Sequence, residues 1–169
     1  MKKYLLILGM MLMGATATFA EEGDKWAGIN FSYGVNSKFK NFAAGAKFQY
    51  EVKQNLRLEA AANYFFKRSL GSDYNEDGDL SASQWDINLN AQYLIHVADK
   101  MNIYPIVGPS IMTYKTNGLT SYHTRFGVNI GAGWEYELND EIKVNFDFKY
   151  QYLKDIDRPV FAIGVAYKL

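Results

Sequence analysis

Apolar residues alternate with polar or small residues along most of the chain, in runs separated by turn-like segments. In the sixth run, Val128 and Ile130 occupy one set of alternate positions, while Asn129 and Gly131 occupy the other. A period of two is the pattern of a β-strand whose two faces meet different surroundings. The sequence predicts eight such strands, over residues 27–35, 42–52, 56–66, 85–95, 102–114, 123–138, 142–152 and 161–169.

The two faces of the predicted strands differ in charge. In every strand but the fifth, the apolar face contains no charged residue, although 21% of the chain is charged. The opposite face combines glycine, alanine and side-chain amides with nearly balanced charges, which are Lys47, Arg57, Arg125, Lys143, Lys149 and Lys168 against Glu51, Glu59, Asp86, Glu135, Glu137 and Asp147. Small residues and pairable charges suit the crowded interior of a barrel better than a solvated surface. We therefore expect a polar lumen and an apolar exterior.

The fifth strand has an ambiguous pattern. Pro105 and Pro109 each remove a ladder donor, and neither face of this strand is cleanly apolar. We predict a strand over 102–114 and leave its facing open.

The connections between the strands form two classes. The joins over 53–55, 96–101 and 139–141 are short, whereas the connections after the odd-numbered strands include a long one over 67–84. A transmembrane barrel has short turns at one end and longer loops at the other, and it carries aromatic girdles near its strand ends. Both termini then lie on the short-turn, periplasmic side, and the 67–84 loop lies outside the cell.

The amino-terminal segment has the features of a secretory signal peptide. Lys2 and Lys3 precede an apolar stretch over 4–13, and small residues follow up to Ala20. We expect cleavage after residue 20, which leaves residues 21–169 as one mature domain.

Overall composition narrows the function further. The 169 residues are 49% hydrophobic and 16% aromatic, with 18 basic and 18 acidic side chains and no cysteine. This balance gives no reason to expect a nucleic-acid partner. The absence of cysteine excludes disulfides, thiolate metal sites and cysteine nucleophiles.

The carboxyl end of the sequence carries a recognisable family signature. Gly164 is followed by Tyr167 and Leu169, with Ala162 where a polar residue is usual and Leu169 in place of a final phenylalanine. In this respect the chain resembles the small eight-stranded outer-membrane barrels of Gram-negative bacteria, of the OmpA transmembrane domain, OmpX and Ail type, and the outer membrane protein β-barrel domain family in particular. The resemblance implies an all-β, antiparallel, up-and-down transmembrane β-barrel. It also implies that the outer-membrane assembly machinery recognises the last strand.

Two segments have features of chemical sites. His123 lies near Ser121, as a catalytic histidine would lie near a nucleophile, but an exposed loop histidine explains the same position. Asp73, Asn75, Asp77, Gly78 and Asp79 match the start of a calcium loop, but Gln84 stands where a bidentate glutamate is needed. We therefore predict no catalytic, cofactor-binding or metal-binding residues, and no cofactor.

The sequence favours a non-enzymatic, monomeric outer-membrane barrel with a side-chain-filled lumen. Its partners would be membrane lipid and an extracellular ligand at loop 67–84. Three alternatives remain open at this stage, which are a narrow transport pore, an outer-membrane enzyme that uses His123, and a soluble periplasmic barrel.

Overall fold

The protein consists of β-strands connected by turns and loops. A computed structural model describes residues 23–35, 40–53, 55–66, 82–116, 122–154 and 157–169. The strands are β1 (Lys25–Val35), β2 (Lys40–Lys53), β3 (Leu56–Phe65), β4 (Ala82–Tyr93), β5 (Ile95–Ala98), β6 (Met101–Thr116), β7 (Tyr122–Glu137), β8 (Ile142–Leu153) and β9 (Arg158–Lys168). Within these ranges, no helix has the length and apolar character needed to cross a membrane.

The strands form one closed sheet in which every pairing is antiparallel. Neighbouring strands follow the order β4, β3, β2, β1, β9, β8, β7, β6, and a direct pairing of β4 with β6 completes the ring. The first and last strands of the chain pair from Trp26 opposite Lys168 to Gly34 opposite Val160. Eight strands therefore make up the wall, and the predicted eight-stranded antiparallel barrel is confirmed.

The ninth element, β5, continues β4 in the same register. β6 pairs with β4 as far as Gln92 opposite Ile106 and then with β5 from Ile95 opposite Ile103. The predicted turn over 96–101 is therefore wrong in extent, because β6 supplies backbone partners for most of it. The actual turn is Asp99–Lys100, where Lys100 has a φ of 64°.

Several other strand boundaries differ from the predicted ones. β4 begins at Ala82 rather than Trp85, and β9 begins at Arg158 rather than Phe161. The polar residues and Pro159 at these ends indicated loops, but neighbouring strands extend far enough to pair with them, as Thr116 does with Ala82. The signal peptide at 1–20 and most of the 67–84 loop lie outside the described residues.

The two faces of the wall meet opposite surroundings, and the apolar face points outward. Ile130 and Ile163 are 54% and 60% exposed, whereas Asn129 and Asn88 are fully buried inside the barrel. We call the end of the barrel with the short turns, the start of β1 and the end of β9 the turn end, and the opposite end the loop end.

The facing of β6, which the sequence left open, is now clear. Asn102, Tyr104 and Ser110 are buried, while Pro105 and Pro109 lie on the exposed outer face. Both proline rings therefore point away from the lumen, and each proline removes one backbone donor from the wall.

Candidate functional site

The barrel interior is the largest polar assembly that the described residues form, and every strand of the wall contributes to it. Because side chains alternate across a strand, each wall strand sends every second residue inward. The charged members of this interior that are buried are Lys47, Arg57, Glu59, Asp86, Glu135, Lys143, Asp147, Lys149 and Arg158. Their contacts group into three layers along the barrel.

The layer at the turn end is a network of buried ion pairs. Arg57 Nη1 lies 2.8 Å from Glu135 Oε2, and Arg57 Nε donates to Gln92 Oε1 at 2.7 Å. Lys143 Nζ lies 3.6 Å from the same Glu135 oxygen and 3.8 Å from Glu51. The guanidinium therefore joins β3 to β7, which are not neighbours in the wall, so the layer spans the lumen.

Two aromatic rings support these cations. The Lys143 Nζ lies 4.1 Å from the centre of the Trp26 ring, and the Arg57 guanidinium lies 4.9 Å from the Tyr104 ring. The Tyr104 hydroxyl donates to Asp147 at 2.7 Å. A side chain at Gly133, which is opposite Tyr104 in the wall, would collide with that ring. Glycine at this position gives the ring the space that it occupies.

The central layer consists of amides and charges in alternation. Glu59 accepts hydrogen bonds from Gln49 at 2.8 Å and from Asn90 at 3.1 Å. Lys47 donates to Asn145 across the lumen from β2 to β8. Lys47 and Glu59 are therefore within hydrogen-bonding distance of amides, which offsets part of the cost of burial.

The layer at the loop end is centred on Arg158. This guanidinium lies 3.2 Å from Asp86 and donates to Gln84 at 3.2 Å and to Gln151 at 2.8 Å. It also lies 4.0 Å from the centre of the Phe65 ring. β9 and β4 are on opposite sides of the barrel, so this single side chain bridges the full width of the lumen.

These three layers can obstruct passage along the barrel axis. An eight-stranded barrel is just wide enough for side chains to fill. Here hydrogen bonds and ion pairs fix many of those side chains to strands on the other side. Chemically, the interior resembles a cross-linked polar core more than a reaction centre.

The residues that suggested catalysis or calcium binding do not assemble into a site in the described part of the chain. The His123 ring stacks on Tyr114 with 5.4 Å between ring centres, and Ser121 lies outside the described residues. The acidic residues over 73–79 also lie outside them. Gln84 is buried in the barrel and bonded to Arg158, so it faces the lumen rather than the loop.

Among the described residues, no three histidine, cysteine, aspartate or glutamate side chains lie together in a group that could hold a metal ion.

Sequence reasoning placed Phe65 on the polar face but missed the contact of aromatic rings with the interior cations. Trp26 and Phe65 are 4% and 0% exposed, and both lie on the polar face of their strands near a strand end. Arg158 was assigned to a loop. The sequence did contain a signal for these rings. An aromatic residue on the polar face of a strand, close to charged residues at the end of that strand, favours a ring that lies inside the barrel beneath a cation.

Comparison with known proteins identifies the same architecture. The chain matches the outer membrane protein β-barrel domain family over residues 5–168. No curated protein sequence matches it.

Among solved structures, Neisserial surface protein A is similar with a TM-score of 0.68 at 16% identity, covering 87% of this chain and 97% of that one. The N-terminal β-barrel domain of Pseudomonas aeruginosa OprF gives 0.65 at 14%, covering 88% and 100%. Yersinia pestis Ail in complex with the heparin analogue sucrose octasulfate gives 0.61 at 14%, covering 87% and 97%. At these identities, the likeness concerns the fold alone.

Proposed function

Since the chain belongs to the outer membrane protein β-barrel domain family, we propose that it is an integral outer-membrane protein with an obstructed lumen and a structural or surface-interaction role. The observation that carries this proposal is the set of side chains that bridge the lumen. Arg158 joins β9 to β4, and Arg57 joins β3 to β7. With the axis obstructed, the extracellular loops remain as the part of the molecule that determines specificity.

The shape of the loop end supports a contact role. β7 pairs with β6 from Tyr122 onward but with β8 only from Gly127 onward. The hairpin of β6 and β7 therefore rises past the neighbouring β8 on that side. In the proposed orientation this hairpin and the 67–84 loop project outside the cell, and the turns and termini lie in the periplasm.

The proposed partners follow from the surfaces. Membrane lipid covers the exposed apolar face, and the assembly machinery recognises β9 through Gly164, Tyr167 and Leu169. An extracellular ligand binds at loop 67–84, and the protein acts as a monomer without a cofactor. The mature domain comprises residues 21–169 after removal of the signal peptide at 1–20.

Conductance in a planar lipid bilayer tests this proposal against a transport pore. We expect the purified, folded protein to give no stable, large conductance steps, because side chains bridge the lumen in three layers. Replacing Arg158 by alanine removes one bridge while Arg57 keeps another, so this variant should also stay closed. Stable large steps from the unmodified protein would favour the pore and refute the obstructed lumen.

The enzyme alternative has a separate test. We propose that His123 is a surface residue of the β6–β7 hairpin without a catalytic role. If purified protein showed phospholipase or peptidase activity that His123→Ala abolished while folding was unchanged, the enzyme alternative would replace the proposal.

A further inference from the structure

The line along which β4 and β6 meet, here called the β4–β6 seam, is paired less completely than the line between β6 and β7. β6 pairs with β7 without interruption over 101–115. β4 pairs with β6 over 82–88 and again at 91–92, and between these stretches the ladder is broken. The register sets Leu89 opposite Pro109 at this break. The wall thus has a local defect in its backbone hydrogen bonding.

The two prolines of β6 explain the defect. Leu94 donates its N–H to the carbonyl of Asn55, next to β3, so even-numbered residues of β4 direct their backbone groups toward β3 and odd-numbered ones toward β6. The β6 residues that lie opposite the odd-numbered residues of β4 are also odd-numbered. Pro105 and Pro109 are two of them, so these are positions whose N–H would face β4. Proline has no N–H. Both missing donors therefore fall on the same seam.

Glycine allows β6 to approach β4 closely at this point. A Cβ added to Gly108 would overlap the Leu89 carbonyl oxygen and would lie 2.7 Å from Asn90 Cα. The Leu89 carbonyl oxygen therefore lies close to Gly108 of β6, and the residue opposite Leu89, Pro109, has no N–H to donate to it. In a membrane no solvent compensates for such a loss, so a contact made inside the lumen has added weight at this point.

Asn129 of β7 supplies that interaction from inside the lumen. Its Nδ2 donates to Asn88 Oδ1 at 2.8 Å and to Asn90 Oδ1 at 3.0 Å, and both acceptors are on β4. Ser110 of β6 also donates to Asn88 Oδ1, at 2.8 Å. Asn129 is fully buried. Its side chain passes over β6 and ties β4 to β7 beside the broken part of the ladder.

We propose that the β4–β6 seam is a lateral opening in the barrel wall that Asn129 latches from inside. When the latch releases, β4 and β6 separate around Leu89 and Pro109 while the other seams stay paired. The opening connects the polar lumen sideways with the lipid-facing surface, and lumen water reaches the Leu89 carbonyl. This device goes beyond the proposed surface role and does not depend on it.

Amide hydrogen exchange of the folded protein in phospholipid nanodiscs, resolved by residue, tests the seam directly. The N–H groups of Leu89, Ala91 and Val107 face the seam, whereas that of Ile106, at nearly the same depth, faces β7. We expect the seam amides to exchange at least tenfold faster than the Ile106 amide. Equal protection would overturn the proposal.

Two variants test the latch. Asn129→Ala should raise the exchange rate of the seam amides about tenfold above that in the unmodified protein and leave the exchange rate of the Ile106 amide unchanged. Pro109→Ala restores an N–H opposite Leu89, so it should slow seam exchange both alone and combined with Asn129→Ala. If Asn129→Ala does not fold, Pro109→Ala alone decides, and unchanged seam exchange in that variant would refute the proposal.

Asn30→Ala is the matched control, because Asn30 is a buried lumen amide that donates to Ser32 and Asn63, away from the seam. We expect this variant to leave seam exchange unchanged. Uniformly faster exchange throughout the barrel in Asn129→Ala, or an equal effect of Asn30→Ala at the seam, would mean that only general stability had changed and would refute the latch.

Discussion

Removing one partner of the buried ion pair at the turn end should destabilise the barrel more than removing both. The side chain of Arg57 is fully buried and that of Glu135 is 1% exposed, with 2.8 Å between the charged atoms. Deleting one member of such a pair costs about 3 to 5 kcal/mol, because it leaves an uncompensated buried charge. In Arg57→Met, Lys143 still lies 3.6 Å from Glu135. We therefore expect a loss of unfolding free energy near the lower end of that range.

The double variant Arg57→Met/Glu135→Met should recover much of this loss, because apolar replacement of both members of a buried pair is often neutral or stabilising. Urea unfolding in lipid vesicles, followed by tryptophan fluorescence and by the gel mobility of the folded form, measures the three free energies. Lys168→Met is the control, since Lys168 pairs with Asp24 at 2.6 Å in a partly exposed position and its loss should cost at most about 1 kcal/mol. The reasoning fails if Arg57→Met costs no more than Lys168→Met, or if the double variant loses at least as much as the single one.

Three further outcomes are expected. Ile130→Arg places a charge on the lipid face in mid-strand and should cost about 2 to 4 kcal/mol in vesicle refolding, whereas Thr124→Arg on the same face near the strand end should cost at most about 1 kcal/mol; equal costs would contradict the placement of Ile130 at mid-membrane depth. Intact-mass measurement of the protein from outer membranes should place the mature amino terminus at Glu21, and retention of residues 1–20 would contradict export through a cleaved signal. External protease should cut loop 67–84 in intact cells while the strands stay protected, and protection that appears only with millimolar calcium would instead support a cation site there.

The strand pattern was predictable because it depends on a local rule. A period of two assigns each residue to one face of the sheet, and this fixed both the number of wall strands and the outward position of residues such as Ile130 and Ile163. The interior contacts depend on closure of the whole ring. Arg57 and Glu135 are 78 positions apart, and nothing in the sequence around either residue specifies the other. Residue types in the lumen were therefore predictable, whereas their partners were not.

The predicted boundaries of several strands were wrong for a related reason. Pro159 and the polar residues at 82–84 favour loops when they are read locally, yet a tilted neighbouring strand provides them with backbone partners. The facing of β6 was undetermined because Tyr104, Ile106 and Met112 are buried inside and make that face look apolar. Strand prediction relies on the difference in polarity between the two faces of a strand. An interior that combines aromatic rings with charges makes this difference smaller.

The two-residue turn that ends the β5–β6 hairpin offers a practical route to labelling the protein. Asp99 and Lys100 are exposed, and the left-handed backbone of Lys100 is a conformation that glycine adopts without strain. Exposed loop tips tolerate inserted sequence well, so a short glycine-flanked epitope or protease site fits here without changing the register of either strand. Because this tip lies at the turn end of the barrel, an antibody or protease that reaches it only after the outer membrane is permeabilised would report directly which way the barrel is inserted.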